Sequence, residues 1–287
     1  MGELPAAVQA KLEYKSEVKP TWCPGCGDFG VLRAVYEAFE RLGVDTKDIC
    51  LVSGIGCSSR IPFFVASYGF HGVHGRILPT ATGIKVANPQ LHVVGLGGDG
   101  DAFSIGAGHL PHAIRRNPNL TYIVMDNNIY GLTKGQTSPT SASQFVTKST
   151  PYGNVEDPMN PLAMVLVYGA TFVAKGFSGK AKELTDLLVQ AIQHEGFSFV
   201  DVLSPCPTFN KVDTFKYYAE RAAAIPAEHD VTDKLAALRL ALEPEKHYLG
   251  VYYQVSRPTL EQRVEASRQK VRAEPQRELE ELLARFT

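Results

Sequence analysis

The stretch GDGDAFSIGAGHLPHAIRRNPNLTYIVMDNN, Gly98 to Asn128, sets a glycine-flanked acidic turn at a fixed distance before paired asparagines. The apolar run Leu91 to Leu96 ahead of it reads as a buried parallel strand, and the segment from about Ser104 to Arg116 carries helical periodicity. A second apolar run, Thr121 to Asp126, then delivers Asn127 and Asn128 to the same carboxyl edge of a sheet. Open α/β sheets bind ligands at that edge.

An acidic turn and an asparagine at one sheet edge suit a diphosphate held through a divalent metal. Mg²⁺ takes oxygen ligands, commonly one or two carboxylates plus substrate phosphates, and an amide oxygen and a backbone carbonyl complete such a set. The rival reading is a dinucleotide fingerprint, because Gly95-Leu96-Gly97-Gly98-Asp99-Gly100 satisfies GxGxxG and Asp126 imitates its ribose-binding acid. Charge opposes it: Asp99 and Asp101 against a bare pyrophosphate would repel by several kcal/mol at an effective dielectric of about 20. A metal ion reverses that sign.

Cysteine forms the second constellation. There are five, and the stretch Met1 to Pro20 is charged, without the apolar core of a signal peptide, so a disulfide framework is not expected. Cys23 and Cys26 lie in Trp22-Cys23-Pro24-Gly25-Cys26-Gly27, Cys57 in Gly54 to Ser59, and Cys206 between Pro205 and Pro207. Glycine and proline beside sulfur fix turns and free backbone amides, as ligand loops require. Cys50, within Ile49 to Val52, reads as a small core residue. A thioredoxin-like dithiol is disfavoured because the residues ahead of Cys23, Leu12 to Pro20, are polar and broken by proline instead of forming a core strand. Four thiolates suit structural zinc and an iron–sulfur cluster alike.

Taken together, the two constellations resemble one family, the β subunits of 2-oxoacid:ferredoxin oxidoreductases. The matching text is WCPGCGDFGVL, SGIGCSSRIPFF, HGVHGRILPTATGIKVANP, GLGGDGDAFSIGAGHLPHAIRRN, YIVMDNNIYGLTKGQTSPTS and LSPCPTFN, spanning roughly Trp22 to Asn210 in the family's order. The resemblance implies thiamine diphosphate, Mg²⁺ and one 4Fe-4S cluster. Cys23, Cys26, Cys57 and Cys206 then correspond to the cluster ligands, and Asp99, the Asn127 side chain and the Ile129 carbonyl to the Mg²⁺ ligands. Ile55, Gly56, Cys57, Ser58, Ser59, Gly98, Gly100, Asp101, Gly131, Leu132 and Thr133 are expected around the thiamine diphosphate, with His74 a further contact. Arg60 occupies a position near the substrate carboxylate. Guanidinium forms bidentate charge-assisted bonds with carboxylates, although a solvated cation is its ordinary alternative.

The implied reaction is CoA-dependent oxidative decarboxylation of a 2-oxoacid, with electrons passed to ferredoxin. Arg60 favours 2-oxoglutarate, with pyruvate next. The diphosphate signature takes up most of the patterned α/β region, so an α subunit is expected to supply the pyrimidine-binding domain, in an α2β2 assembly. A non-oxidative thiamine diphosphate decarboxylase or synthase subunit, and a zinc-stabilised non-catalytic assembly subunit, are the alternatives.

The rest of the chain fits a cytoplasmic globular protein. With 287 residues, 44% hydrophobic content and a formal charge of −1, it can bury a core but offers no basic field for nucleic acid. The longest uncharged run, Pro158 to Ala174, is broken by Asn160, Pro161 and Gly169 and reads as a helix followed by a strand, so no membrane span is expected. Ala6 stands where a myristoylation signal needs serine or threonine. His71 and His74 sit among glycines, as loop residues; His109 and His112 flank Pro111 in packing or solvent roles. Lys134 to Ser141 is turn-rich and reads as a mobile loop.

A helix is expected over Asp28 to Leu42 and strands near Ile49 to Ser53, Leu91 to Leu96, Thr121 to Asp126, Thr171 to Ala174 and Phe197 to Leu203. The alternation predicts an α/β fold: a doubly wound, mostly parallel sheet of the thiamine diphosphate-binding type with a C-terminal helical extension. Residues 1–210 are expected to hold the cofactors and residues 211–287 to form a subunit-contacting extension, helical over Tyr217 to Ile225 and Val231 to Leu242 and charged from Thr259 to Phe286 with a break at Pro275.

Overall fold

The computed structural model describes residues 14–273, 281 and 283–286. The stretch 1–13 that opens the leader reading, and the break expected at Pro275, lie outside the described residues.

Among the described residues, eight strands form one sheet: β1 (Ile49–Ser53), β2 (Tyr68–His71), β3 (His92–Gly98), β4 (Leu120–Asp126), β5 (Phe172–Phe177), β6 (Phe197–Leu203), β7 (Ala222–Ala224) and β8 (His247–Gln254), in the order β2-β1-β3-β4-β6-β5-β8-β7. All pairings are parallel except β5 with β8. The helices are α1 (Asp28–Leu42), α2 (Ile61–Phe64), α3 (Ile77–Ala87), α4 (Asp99–Phe103), α5 (Leu110–Arg116), α6 (Pro161–Tyr168), α7 (Ala181–Gln193), α8 (Phe215–Arg221), α9 (Lys234–Ala241) and α10 (Leu260–Ala273).

Strands β1, β4 and β6 are buried along their whole length, as strands covered on both faces must be. Their period of two divides the core. Leu51, Ile123, Met125, Val200 and Val202 face α1 and α7, while Cys50, Val52, Tyr122, Val124 and Phe199 face α3, α5 and α6. Helix α1 presents Val31, Val35 and Phe39 along one stripe and stops at Gly43, whose φ of 62° caps the last turn. Gly30 lets that helix approach the backbone after β5, since a Cβ there would lie 2.3 Å from the Ser178 carbonyl oxygen.

Helix α1 and strands β1 and β6 have the expected bounds, and β5 runs on past Ala174 to Phe177. The helix expected over Ser104 to Arg116 is broken. Chain Ser104–Gly106 turns aside between α4 and α5 because the Gly75 loop packs on it: a Cβ on Gly106 would meet the Asp101 carbonyl at 2.3 Å, and one on Gly75 the Gly106 nitrogen at 2.6 Å. Pro111 then starts α5 anew. His71 is no loop residue; it ends β2, an edge strand whose exposed side chains leave no hydrophobic alternation to read. Within Tyr217 to Ile225 the helix ends at Arg221, and Ala222–Ala224 pairs with β8 instead. Pro226 beyond it bars a helical continuation. The C-terminal extension thus carries α8, α9 and α10 together with two strands that widen the sheet.

Chain order reverses at β1, which has β2 on one side and β3 on the other. That is the topological switch point, where the loops leaving two adjacent strands diverge and open a crevice at their carboxyl ends.

Candidate functional site

A cavity of about 350 Å³ occupies that crevice. Its walls are the turn after β1 (Ile55, Gly56, Cys57, Ser58), the turn after β3 (Gly98, Asp99, Gly100, Asp101), and the loop after β4 (Asn127, Ile129, Tyr130, Gly131, Leu132, Thr133), closed by His74 and Gln136. Every position expected to contact the thiamine diphosphate or Mg²⁺ lines it except Ser59. Ser59 is fully buried, with no partner for its hydroxyl, and Arg60 ends the short turn Ser58–Arg60 without lining the cavity.

The glycines make room. A Cβ on Gly98 would come within 2.9 Å of Ser58 Oγ, and one on Gly100 within 2.2 Å of the Tyr130 ring, whose hydroxyl donates to the Gly100 carbonyl at 3.2 Å. Asp99 is buried, and burial lifts its pKa to about 6 against the hydrogen bonds that Ser138 and Thr140 donate. Thr140 Oγ1 lies 2.8 Å from Asp99 Oδ2 and 2.9 Å from Asp126 Oδ1. Thr140 thus bridges the two carboxyl groups. Burial first, then the neighbouring Asp99 and Asp201, push the Asp126 carboxyl well above its ordinary range, with Lys175 and Thr140 opposing. Asn127 Oδ1 accepts from the Ile129 amide at 3.2 Å. Asp99, Asn127 and the Ile129 carbonyl thus supply a carboxylate, an amide oxygen and a backbone oxygen, the hard oxygen set that Mg²⁺ takes.

Asp101 acts mainly as a joint. Its Oδ1 accepts from the amides of Ile55 at 2.8 Å and Gly75 at 2.9 Å, and His74 Nδ1 approaches it to 2.9 Å without hydrogen-bond alignment. Asp101 Oδ2 is buried with no partner. His71 turns elsewhere, to Ser53 Oγ at 2.9 Å and the Ser59 carbonyl at 3.1 Å. The end of the turn-rich segment Lys134 to Ser141 is tied down: Ser138, Thr140 and Ser141 are buried, and Ser141 Oγ donates to the Asn128 carbonyl at 2.6 Å.

Cys23, Cys26, Cys57 and Cys206 converge beside the same cavity. A Cβ on Gly131 would lie 3.6 Å from Cys206 Sγ and 3.7 Å from Cys57 Sγ. Burial pushes the Cys57 thiol up to about 11, with Asp28, Cys206 and Cys23 adding to it and Arg60 opposing. Cys26 is raised by burial, then Asp28, with Cys206 and Cys57 contributing. Each of the four therefore feels at least one other. The loops are tied by the Cys26 amide on the Cys23 carbonyl at 3.1 Å, the Gly27 amide on the Pro205 carbonyl at 3.0 Å, and Trp22 Nε1 on the Cys57 carbonyl at 2.7 Å. Among the described residues, no three Cys, His, Asp or Glu side chains are grouped so as to hold a single metal ion. Cys50 stands apart in β1, raised by burial alone.

Sequence reasoning missed Tyr130, Gln136 and Thr140, although the hydroxyl-rich run Thr137 to Ser141 is the visible trace of Thr140's role. It also missed Asp28, fully buried beside Cys26, whose Oδ1 accepts from Ser204 Oγ at 2.8 Å while Oδ2 has no partner.

Residues 54–202 match the thiamine pyrophosphate enzyme C-terminal TPP-binding domain, and residues 206–269 the C-terminal region of the pyruvate ferredoxin oxidoreductase beta subunit. The chain is 40% identical to subunit beta of 2-oxoacid:ferredoxin oxidoreductase 2 from Aeropyrum pernix, over 88% of this chain and 86% of that protein. It is 46% identical to the 2-oxoglutarate oxidoreductase subunit KorB of Mycobacterium tuberculosis, over 69% of this chain and 53% of that one. The structure superposes on a chain of the 2-oxoglutarate:ferredoxin oxidoreductase from Magnetococcus marinus, solved with 2-oxoglutarate, coenzyme A and succinyl-CoA bound, with a TM-score of 0.91 and 50% identity, covering 96% of this chain and 94% of that chain.

Proposed function

From the premise that the chain belongs to the β subunits of the 2-oxoacid:ferredoxin oxidoreductases, we propose that it catalyses CoA-dependent oxidative decarboxylation of 2-oxoglutarate. The products are an acyl-CoA, CO₂ and reduced ferredoxin. The observation that carries the reading is one shared wall: Cys57 and Gly131 line the switch-point cavity and also stand against the cysteine shell. Bound thiamine diphosphate supplies a nucleophilic carbon and an electron sink for loss of CO₂, and a 4Fe-4S cluster removes electrons singly.

Asp99, Asn127 and the Ile129 carbonyl hold Mg²⁺. The turns at Ile55–Ser58, Gly98, Gly100–Asp101 and Gly131–Thr133, with His74, cradle the cofactor. Cys23, Cys26, Cys57 and Cys206 hold the cluster, and Arg60 grips the substrate carboxylate from its turn beside Cys57. A non-oxidative thiamine enzyme would have no use for that shell. The partner is an α subunit supplying the pyrimidine-binding half, in an α2β2 assembly; residues 1–210 carry the cofactors and residues 211–287 reach the partner. All five cysteines are free, which fits the reducing cytoplasm. Among the described residues no helix is long and apolar enough to cross a membrane.

The test is the anaerobically purified assembly with its α subunit. It is expected to be brown and to reduce ferredoxin with 2-oxoglutarate faster than with pyruvate, only when coenzyme A is present. A colourless zinc protein, or CO₂ release that needs neither coenzyme A nor acceptor, would overturn the reading.

A further inference from the structure

Asn210 lies past the last cysteine, 83 residues from Asn127, and is 1% exposed. Its backbone amide donates to the Cys206 carbonyl at 2.9 Å, closing the turn that presents Cys206. Its side-chain Nδ2 donates to the Asn127 carbonyl at 3.1 Å and to Asp213 Oδ2 at 2.8 Å. Its Oδ1 accepts from the amides of Val212 and Asp213, both at 3.0 Å. Every hydrogen-bonding site on the amide group is engaged, so its rotamer and its flip state are both fixed.

The far side is braced as well. Asn128 holds a left-handed φ of 55°, and its Nδ2 donates to the same Asp213 Oδ2 at 3.0 Å and to Tyr218 Oη at 2.9 Å. Asn128 therefore cannot shift without disturbing Asp213, and neither Asp213 nor the Asn127 carbonyl can shift without disturbing Asn210. A half-buried network anchored on a buried, fully bonded asparagine behaves as one body, because loosening Asn210 leaves the groups it joins unpaired.

We propose that Asn210 is a positioning residue that couples the two cofactor sites, so that occupancy of the thiamine–metal cavity steadies the Cys206 loop and the cluster steadies the Asn127 turn. The inference rests on the function proposed above. Coupling of this sort is reciprocal, and such couplings commonly amount to about 5- to 150-fold in affinity or stability. Cys57, which lines the cavity itself, gives a second and direct route; Asn210 accounts for the share that reaches Cys206.

The experiment measures anaerobic release of iron from the co-purified αβ assembly into a ferrous chelator, with and without saturating Mg²⁺ and thiamine diphosphate. In the wild type the cofactor is expected to slow release about tenfold. In Asn210→Ala and Asn210→Asp, iron at the start is expected to be normal and the ratio to fall below about threefold, while thiamine diphosphate affinity drops correspondingly. Asp213→Asn, which leaves an acceptor for Asn210 in place, is expected to stay near the wild-type ratio. A wild-type ratio near one overturns the coupling without any variant, and so does an unchanged ratio in both Asn210 variants. Failure of both to load iron overturns it too, by assigning Asn210 to building the Cys206 loop alone. A wild type without iron, or without thiamine diphosphate binding, refutes the underlying function instead.

Discussion

Replacing Thr140 with valine keeps the side chain's shape and deletes one hydroxyl. That hydroxyl stands between Asp99 Oδ2 at 2.8 Å and Asp126 Oδ1 at 2.9 Å, in a region closed to water. Its donation to Asp99 is a charge-assisted bond whenever that carboxyl is ionised, a class worth about 1.5–3 kcal/mol. Losing it makes the ionised carboxylate harder to keep, and a metal–diphosphate complex needs that carboxylate ionised. At about 1.4 kcal/mol per decade, Mg²⁺-dependent thiamine diphosphate affinity is expected to fall roughly 10- to 150-fold. Calorimetric titration of the assembled enzyme at pH 7 with excess Mg²⁺ measures it directly. Thr140→Ser retains the donor and is expected within about threefold of wild type, and both variants should keep their iron. A Thr140→Val assembly that binds the cofactor within twofold of wild type would refute the claim that this hydroxyl holds Asp99 ready for the metal.

Alanine at Cys23, Cys26, Cys57 or Cys206 is expected to remove the brown colour and about four irons per chain, whereas Cys50→Ala keeps both; iron and zinc analysis with a visible spectrum checks this. Asp99→Ala should abolish Mg²⁺-dependent cofactor binding, and Asn127→Ala weaken it severely, with the colour surviving in each. Because burial raises Asp99 to about 6, protons compete with the metal: affinity should be nearly flat above pH 7 and fall by up to about tenfold per unit below 6, whereas a flat profile from pH 5 to 8 would contradict the assignment. The sign for folding is opposite, since a raised carboxylate pKa favours the cofactor-free fold at low pH and loses that contribution as pH climbs through 6. Arg60→Met is expected to raise KM for 2-oxoglutarate and lower kcat/KM roughly 10- to 150-fold with cofactor content unchanged; a loss shared equally with pyruvate would place Arg60 at the carboxylate common to both acids.

What the sequence discloses, and what it hides, divides along sequence distance. Asp99, Asn127, Cys23 and Cys26 stand in short motifs whose chemistry is local, a carboxylate between glycines or two thiols on one turn, and such patterns survive as text. Strands β1, β4 and β6 are legible for a related reason, since burial on both faces leaves an apolar run that ends where the polar loop begins. Strand β2 has no such signature because its side chains are exposed. The break after Phe103 is invisible because its cause, the approach of Gly75 to Gly106, is tertiary.

The groups that hold the proposed ligands are the hardest to read. Thr140 acts on Asp99 from 41 residues away, Ser204 on Asp28 from 176, and Asn210 on Asn127 from 83. Ser204 and Asn210 read in sequence as ordinary polar loop residues, and the run Thr137 to Ser141 marks Thr140 without showing its partner. Yet each is buried, and the great majority of buried hydroxyls and amides are bonded. The cost of leaving Asp99 or the Asn127 carbonyl unpaired is what fixes their partners, so these distant polar residues follow from the ligands once the fold brings them together. The same reasoning sets the order of effect expected among variants. Removing a ligand removes the bound group outright, whereas removing Thr140 or Asn210 leaves the ligand in place but free to turn, and so costs affinity and coupling before it costs the fold.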